Sequence, residues 1–545
     1  MKNKKMRLIV ATLLMVAISV TAFASCDMFF VDLPEISGDD FESDHTPGGN
    51  QNPGGIQNPS GIPEGTSIFD PEQSTEKPTE TATEIIPDET VETQAPEEEF
   101  PTEITKNNYN SSFYLSIVPD PNPINYYWVE DAGTNAVSEA LFARQERIKN
   151  YLGVEIVCYS AGTPSSYVTP FKTSVKNCDG SVDILMSHVS VGVASIISER
   201  YIQDFSSFPG IDLDRSYWNS NVMDALAIDD HYFLGYSDFN VPYAHVIAFN
   251  KEMMEVYAPD LEKSPYEMVE DYEWTLDAML NIAKLVSIDR TGDGKTNDDT
   301  FGITGQQWLP WIGFFQASNI SLVEQNDNGK YTISISNSKY NYTTAGLVQK
   351  LRDLSNSNYA MFAFPDDGVI PAHISLGTGR TLMQLASTYS TADFVGYDID
   401  FGVLPYPMYD TAQKDVGYRS LQWGGYLCIP AYVRNPQMVG ETLELLSFDS
   451  KEVRNAFYEQ ILGKALSDAP EDVKMLEIVR KGICSDMGQA YAESCPGILY
   501  LLPYVTRTGT GWELSTYLVS FERSSNTTLS KFINKVRQNI ANQAN

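Results

Sequence analysis

Basic residues are scarce in this sequence, which has 37 Lys+Arg against 72 Asp+Glu over 545 residues and a formal net charge of −35. A chain this acidic repels phosphate groups, so a nucleic-acid partner is excluded. Hydrophobic residues still make up 42% and aromatic residues 12%. That apolar share can build a sizeable core, so the chain as a whole is not disordered. Its length exceeds what one compact domain usually uses.

Motifs for metal binding and nucleophilic catalysis are also missing. The five histidines never occur as HExxH and the six cysteines never as CxxC, so zinc-protease, zinc-knuckle and thioredoxin-type sites are not indicated. No Gly-x-Ser-x-Gly elbow is present. An exported chain could form disulfides, and Cys484 and Cys495 are the easiest pair to close. Spacing does not fix the connectivity, which stays open among Cys158, Cys178, Cys428, Cys484 and Cys495.

The amino terminus has the pattern of an export signal. Residues 1–7 carry four basic side chains, an apolar run follows over 8–24, and small residues precede Cys26. This order is typical of a secretory signal, and Cys26 resembles the lipidated cysteine of a bacterial lipobox. We therefore predict a signal peptide over 1–25 and lipidation at Cys26. The alternative is an uncleaved anchor, because seventeen apolar residues are near the short limit for spanning a bilayer.

Residues 27–108 differ in composition from everything that follows. They contain 20 Asp+Glu, two basic residues and ten of the 29 prolines. Such a stretch buries too little apolar area to offset chain entropy, and its like charges repel one another. We predict that 26–108 is a lipidated cysteine followed by a disordered acidic Pro/Thr/Glu-rich linker. A passive linker is favoured over a binding tail.

Strands and helices alternate from residue 109 onward. Apolar and β-branched runs predict strands at 113–118, 154–158 and 182–186, with a helix over 134–152 between the first two. This alternation predicts an α/β fold with a mainly parallel sheet. Ligands of such sheets bind beyond the carboxyl ends of the strands. That rule points to His188 and Ser190, which follow the third strand.

Eight short segments, each weak alone, then occur in a fixed order. They are DILM (183–186) with YIQDF (201–205), DHYFLG (230–235), VIAFNK (246–251), YEWTLD (272–277), TGDGK (291–295) with FGI (301–303), GTGRTLM (377–383), DFGVLP (400–405) and WGGYLCIP (423–430). Through them most of 110–545 resembles the extracellular solute-binding proteins of ABC importers, the sugar-binding type.

The resemblance implies an α/β fold with two lobes of the periplasmic-binding-protein type (type II) and a ligand cleft between the lobes. The lobes close around solute by a hinge motion, and the closed form docks on the permease subunits of an ABC transporter. We expect a monomeric, non-enzymatic, lipid-anchored receptor for a sugar or oligosaccharide on the extracellular face of the bacterial cytoplasmic membrane. The expected parts are lobe 1 (109–243 and 425–475), lobe 2 (244–424 and 476–545) and crossing segments near 239–246, near 420–426 and within 470–485.

Sugar sites combine aromatic faces, which contact the apolar face of the ring, with a few carboxylates, amides and hydroxyls. Trp308 and Trp311 correspond to the aromatic-bearing segment of the family's second lobe, and a buried core pair is the alternative. Asp238, just before the first crossing, could accept from a sugar hydroxyl, and a solvated loop acid is its alternative. The predicted ligand-binding residues are Trp308, Trp311, Trp423, Tyr389, Asp238, His188, Ser190 and Tyr236.

Residues 289–299 resemble the start of an EF-hand loop. Asp289 and Asp293 occupy positions one and five, and glycine occupies position six. Position twelve is Thr300 where the bidentate glutamate should be, which argues against tight calcium binding. The loop is either a structural turn or a weak calcium site that uses Asp289, Asp293 and Asp298. No other cofactor is expected.

Two other functions stay open at this point. A secreted glycan-active enzyme would need two carboxylates about 5–9.5 Å apart, and the 52 acidic residues after residue 108 make some such pair inevitable. A ligand-binding surface or sensor-accessory protein without transport would share every feature above.

Overall fold

A computed structural model describes residues 100–296, 298–307, 309–363, 376–507 and 513–543. The expectations for the signal peptide, for Cys26, for the linker up to residue 99 and for Trp308 lie outside these described residues.

The strands are short, and most of them are buried. In chain order they are β1 (Ser111–Ile117), β2 (Val154–Ser160), β3 (Ile184–Met186), β4 (His245–Asn250), β5 (Ser287–Ile288), β6 (Thr300–Gln306), β7 (Val323–Gln325), β8 (Tyr331–Ile333), β9 (Ala360–Ala363), β10 (Thr381–Ser387), β11 (Phe401–Pro405), β12 (Ser420–Leu421), β13 (Leu427–Cys428) and β14 (Ile483–Cys484).

Helices alternate with these strands. In chain order they are α1 (Ala136–Leu152), α2 (Val168–Asn177), α3 (Val193–Ser198), α4 (Ser220–Leu226), α5 (Lys251–Tyr257), α6 (Pro265–Glu270), α7 (Leu276–Ala283), α8 (Leu309–Ala317), α9 (Asn341–Ser355), α10 (Pro436–Phe448), α11 (Lys451–Leu462), α12 (Pro470–Lys481), α13 (Met487–Ala490), α14 (Leu501–Thr506) and α15 (Leu514–Gln543).

Helix α1 illustrates how the sequence sets its own boundaries. The Asn135 side chain accepts from the Ser138 N–H at 2.9 Å and caps the first turn. Gly153 ends the helix with a φ of 66°, a left-handed conformation that a residue with a Cβ adopts only under strain. The apolar residues Val137, Leu141, Ile148 and Leu152 lie on one face of this helix and are buried.

The first sheet, in the order β13-β3-β1-β2, forms the centre of lobe 1. Strand β1 runs parallel to β2, with Ser111 opposite Val154, and parallel to β3. Strand β13 is antiparallel to β3, with Leu427 opposite Met186. The predicted strand at 182–186 is thus shorter than expected, since only its last three residues pair.

The second sheet forms the centre of lobe 2 in the order β11-β4-β10-β6, with β5 and β9 both paired to β6. Strands β9 and β10 run parallel to β6, whereas β4 is antiparallel to both β10 and β11. The first sheet is therefore parallel except for its edge strand β13, and the second sheet contains two antiparallel strands, β4 and β5. Strands β13 and β4 each follow a crossing segment directly. This topology confirms the predicted α/β fold with two lobes of the type II arrangement.

The three predicted crossing segments lie side by side. Ala244 of the first pairs with Gln422 of the second in an isolated β-bridge. The Gln422 N–H donates to the Cys484 carbonyl at 3.0 Å, and β12 runs parallel to β14. The third crossing, which had no clear marker in the sequence, therefore passes through β14. Together these segments connect the two sheets, and we refer to them by the name of the predicted hinge.

Helix α12 is bonded to the second sheet. The buried Asp472 accepts from the Val403 N–H of β11 at 3.0 Å and from the Tyr266 hydroxyl at 2.6 Å. Asp472 thus ties the first turn of α12 to β11 of the second sheet, and the lobe boundary between 475 and 476 stays a prediction.

The carboxyl-terminal helix α15 is bonded to both lobes. Asn539 donates to the Ser198 carbonyl of α3 at 2.8 Å, and Asn526 accepts from the Ile333 N–H of β8 at 2.8 Å. Among the helices in the described ranges, none combines the length and the apolar character needed to cross a membrane. The five cysteines in these ranges are free thiols, including the closely spaced Cys484 and Cys495.

Candidate functional site

Hydrogen bonds lock three loops together where the two sheets meet. Asn122, in the loop after β1, is buried, and its amide donates to the Ser187 carbonyl at 3.2 Å and accepts from the Gly425 N–H at 2.6 Å. Ser187 follows β3, and Gly425 belongs to the second crossing. A Cβ at Gly425 would lie 1.9 Å from the Ser187 carbonyl oxygen, so only glycine fits there. The carboxyl ends of β1 and β3 are thus held against the hinge, the edge where such sheets bind ligands.

Three tyrosines from three parts of the chain meet at this junction. Tyr126 comes from the turn after β1 in lobe 1, Tyr243 from the first crossing, and Tyr389 from the end of β10 in lobe 2. The ring centroid of Tyr389 lies 5.8 Å from that of Tyr126 and 5.8 Å from that of Tyr243. Tyr389 is 38% exposed and keeps a face open to solvent, whereas Tyr126 is 6% exposed. We call these three residues the junction tyrosines.

The charges of two carboxylates act on the junction tyrosines. Burial raises the pKa of Tyr243 to about 12; a hydrogen bond from Ser387 lowers it, and the charges of Asp120 and Asp393 raise it. Burial likewise raises the pKa of Tyr126 to about 12, with a smaller contribution from Asp393. The hydroxyls therefore remain protonated near neutral pH. Ring faces, hydroxyl donors and carboxylate acceptors together form a site suited to a ring that carries several hydroxyl groups.

An open groove of about 740 Å³ runs along the lobe 1 segment that carries Tyr126. Its lining includes Pro123, Ile124 and Trp128. The Trp128 indole N–H donates to the Ile156 carbonyl at 2.9 Å, which fixes the orientation of the ring. None of the junction tyrosines is among its lining residues.

Two of the sequence-predicted residues lie at this junction. Tyr389 is one of the junction tyrosines. The backbone N–H of Trp423 donates to the Tyr243 carbonyl at 3.0 Å, and the Trp423 side chain is 8% exposed. Its ring centroid lies 6.2 Å from that of His245, so Trp423 forms part of the wall between the junction and the hinge.

His188 and Ser190 follow β3 as expected, and both are buried. The His188 Nδ1 accepts from the backbone N–H groups of Ser190 and Val191 at 3.1 and 3.0 Å. Burial lowers the pKa of His188 to about 3, so the ring is neutral and its Nδ1 stays an acceptor. In this structure His188 stabilises the loop after β3 through these two hydrogen bonds.

Three other predicted residues lie away from the junction. Trp311 is fully buried in lobe 2, which is the core position that the sequence left as its alternative. Tyr236 is buried in lobe 1. The Asp238 carboxylate is paired with Arg454 at 2.9 Å and with Arg480 at 3.2 Å. Trp311 and Tyr236 therefore offer no surface to a ligand here, and both Asp238 oxygens already have cationic partners.

Four buried polar side chains on or next to β4, α8 and β12 are each 3% exposed or less, namely His245, Gln316, Ser420 and Gln422. Burial lowers the pKa of His245 to about 4, although a hydrogen bond with the Ala386 backbone raises it. Burial raises the pKa of Tyr426, whereas a hydrogen bond with the Gln422 side chain lowers it.

The loop 289–299 brings together Asp289, Asp293 and Asp299, whose carboxylate oxygens lie within 4.8 Å of one another. Asp298, expected from the sequence in place of Asp299, instead pairs with Arg380 at 3.4 Å. Asp289 also accepts from the N–H groups of two loop glycines, and Asp299 from two further backbone N–H groups. These bonds close the loop as the structural-turn interpretation predicts. The weak calcium site stays a prediction, which a calcium titration of the purified protein would test.

Sequence reasoning missed Asn122, Tyr126 and Tyr243. The rule that pointed to His188 applies equally to the loop after β1, which holds Asn122 and Tyr126. Tyr243 lies inside the first predicted crossing. These three positions could therefore have been proposed from the sequence. The contact among the three tyrosine rings could not, because it depends on how the lobes are joined.

The structure is similar to two solved sugar-receptor structures. One is the GacH receptor of Streptomyces glaucescens GLA.O, solved unliganded and with acarbose and an acarbose homolog, at 15% identity over 78% of this chain and 98% of that chain, with a TM-score of 0.47. Another is the ABC substrate-binding protein Lmo0181 from Listeria monocytogenes in complex with cycloalternan, at 11% identity over 79% and 99%, with a TM-score of 0.46. No family model matches the sequence, and no curated protein matches it.

Proposed function

We propose that this chain is a receptor that binds a carbohydrate between its two lobes, with the junction tyrosines as the centre of the site. The observation that carries the proposal is the meeting of Tyr126, Tyr243 and Tyr389. These rings come from lobe 1, the hinge and lobe 2, so a ligand stacked on them would contact every part that moves. Asp120 and Asp393 supply acceptors for sugar hydroxyls.

We further propose that the receptor is lipid-anchored through Cys26 and delivers its solute to the permease of an ABC transporter. The support is the sequence order of a signal peptide over 1–25, a cysteine, an acidic linker over 26–108 and a two-lobed domain. Hinge closure would present one closed face to the permease. The same features would serve a sensor-accessory protein, and neighbouring permease or sensor-kinase genes would separate these roles.

Of the residues expected from the sequence, we propose Tyr389 and Trp423 as direct ligand contacts and Trp308 as a further contact from lobe 2. His188 and Ser190 would shape the loop after β3. Binding without turnover is part of the proposal. Release of products from a glycan incubated with the purified protein would contradict it and favour a glycan-active enzyme.

The proposal is tested by screening mono- and oligosaccharides for an increase in melting temperature, followed by calorimetric titration. A bound saccharide should raise the melting temperature in proportion to its concentration over Kd. Tyr389→Ala should weaken binding about tenfold or more, because it removes a stacking face. Tyr342→Ala is the matched control, since Tyr342 is 85% exposed on α9. A protein that responds to peptides or ions and to no saccharide would refute the carbohydrate assignment.

A further inference from the structure

Four charged side chains form a closed network of ion pairs. Arg454 contacts Asp238 at 2.9 Å and Glu477 at 3.5 Å. Arg480 contacts the same two carboxylates at 3.2 and 2.9 Å. The exposed fractions of the four side chains range from 13% to 33%, so the network is half-buried. Several pairs that share partners hold their side chains more firmly than an isolated surface pair does. We call these four residues the ion-pair network.

The ion-pair network joins three parts of the chain. Asp238 follows a segment that pairs with β13 of the first sheet at Gly235. Arg454 lies in α11, which packs against α1. Glu477 and Arg480 lie in α12, whose first turn is bonded to β11 of the second sheet. The network therefore links α11 to elements that are bonded to each of the two sheets.

Helix α11 also contacts the junction tyrosines. The ring centroid of Phe457 lies 5.4 Å from that of Tyr126, with the two ring planes nearly perpendicular. The Gln460 amide donates to the Tyr126 hydroxyl at 2.8 Å. The same helix packs against the turn Ser390–Phe394, which directly follows Tyr389. One helix thus contacts the lobe 1 tyrosine and the lobe 2 segment that carries Tyr389.

A single rigid element carries both sets of contacts. Arg454, Phe457 and Gln460 follow one another at intervals of three residues within α11. Residues three apart are neighbours on the surface of a helix. Helix α11 is continuous from Lys451 to Leu462. Because a helix moves as a unit, a displacement at Arg454 is carried to the contacts that α11 makes with Tyr126.

We propose that Arg454 is a positioning residue for the ligand site, which acts on Tyr126 through α11, and that Gln460 is the contact that holds the Tyr126 hydroxyl. The inference rests on the proposed function, in which Tyr126 contacts the ligand. Because Asp238 and α12 are bonded to different sheets, closure of the lobes changes the geometry of the ion-pair network, and α11 transmits this change to Tyr126. Asp238, which the sequence suggested as a direct ligand contact, then contributes to binding through Arg454.

The test is a double-mutant cycle between Arg454→Met and Tyr126→Ala in the full chain, with the saccharide found by the screen titrated by calorimetry. Methionine keeps an unbranched side chain and removes the charge. Arg454→Met should weaken binding about threefold or more in the unchanged protein and leave the affinity of Tyr126→Ala within twofold. The same loss in both backgrounds, or no loss in either, would overturn the proposal. If Arg454→Met does not fold, Arg454→Lys takes its place, because lysine keeps the charge but lacks the planar fork that reaches both carboxylates.

A second cycle pairs Gln460→Met with Tyr126→Phe, which removes the hydroxyl that Gln460 contacts and keeps the ring. Gln460→Met should weaken binding about threefold or more in the unchanged protein and have no further effect in Tyr126→Phe. Unchanged affinity of Gln460→Met would overturn the role of Gln460.

Lys263→Met is the matched control for the loss of a cation between two carboxylates. Lys263 contacts Asp271 at 2.7 Å and Glu273 at 2.9 Å, and it lies between α5 and α6, outside α11 and the ion-pair network. Its affinity for the saccharide should stay within twofold of that of the unchanged protein. A loss as large as that of Arg454→Met would show that removal of any such cation weakens binding, and the positioning role would be overturned.

Urea unfolding of the same four proteins of the first cycle needs no ligand and decides the question where binding cannot be measured. If the unchanged protein binds no saccharide, the proposed function fails, and the free energies of unfolding still test whether Arg454 positions Tyr126. Non-additive effects of Arg454→Met and Tyr126→Ala on the free energy of unfolding would then support the positioning role. Additive effects would overturn it.

Discussion

Glu444 makes the stability of lobe 1 depend on pH. Its buried carboxylate accepts from the Tyr217 hydroxyl and from the Trp218 indole N–H at 3.1 Å. Burial raises the pKa of Glu444 from 4.5 to about 7, although these two donors lower it. Between these values the folded chain keeps a proton that the unfolded chain releases, so the free energy of unfolding falls as pH rises. The free energy of unfolding should fall by about 3 kcal/mol in total as Glu444 ionises. The loss begins near pH 4.5 and is complete above pH 7.

The substitution Glu444→Gln removes this ionisation while keeping the shape of the side chain. The Tyr217 hydroxyl can turn to accept from the new amide, so the contacts persist. Urea unfolding at pH 5 and pH 8 should show that the unchanged protein loses about 2.5 kcal/mol more than Glu444→Gln over this range, because part of the loss is already complete at pH 5. Glu452→Gln, at an exposed position of α11, is the matched control and should follow the unchanged protein. Equal pH dependence in the unchanged protein and Glu444→Gln would show that ionisation of Glu444 does not lower the free energy of unfolding.

Two further predictions concern the contacts that join the loops of Asn122, Ser187 and Gly425. Gly425→Ala should destabilise the protein by about 1–3 kcal/mol or more, because the new Cβ would lie 1.9 Å from the Ser187 carbonyl oxygen. Gly396→Ala is its control, since a Cβ there meets nothing within 4 Å; equal melting temperatures for the two variants would contradict the packing argument. Asn122→Ala should cost about 1–3 kcal/mol in urea unfolding by leaving the Gly425 N–H and the Ser187 carbonyl unpaired. An unchanged unfolding midpoint would show that the Asn122 hydrogen bonds do not contribute to stability.

The fold could be predicted because its signals are local. The face of α1 and the Asn135 cap lie within one stretch of sequence, and both are observed. The first two crossings were expected within a few residues of where they lie. The third could not be located, since β14 is only two residues long and pairs with a segment more than sixty residues earlier.

The candidate site could be predicted only in part, because burial and pairing depend on distant residues. Asp238 looks like an available acceptor until Arg454 and Arg480 are brought to it from over 200 residues away. Trp311 had a signal that was overlooked, since α8 is apolar on almost every side and such a helix is buried. Tyr126 carries no distinctive motif and gains its role only by meeting Tyr389.

We propose that both lobes contact one carbohydrate through the junction tyrosines. This contact is tested by calorimetric titration of the saccharide into the unchanged protein, Tyr126→Ala and Tyr389→Ala, because the two substitutions remove one ring from each lobe. Each variant should fold and bind the saccharide about tenfold more weakly or worse. Unchanged affinity in both folded variants, with the unchanged protein binding the saccharide, would contradict it.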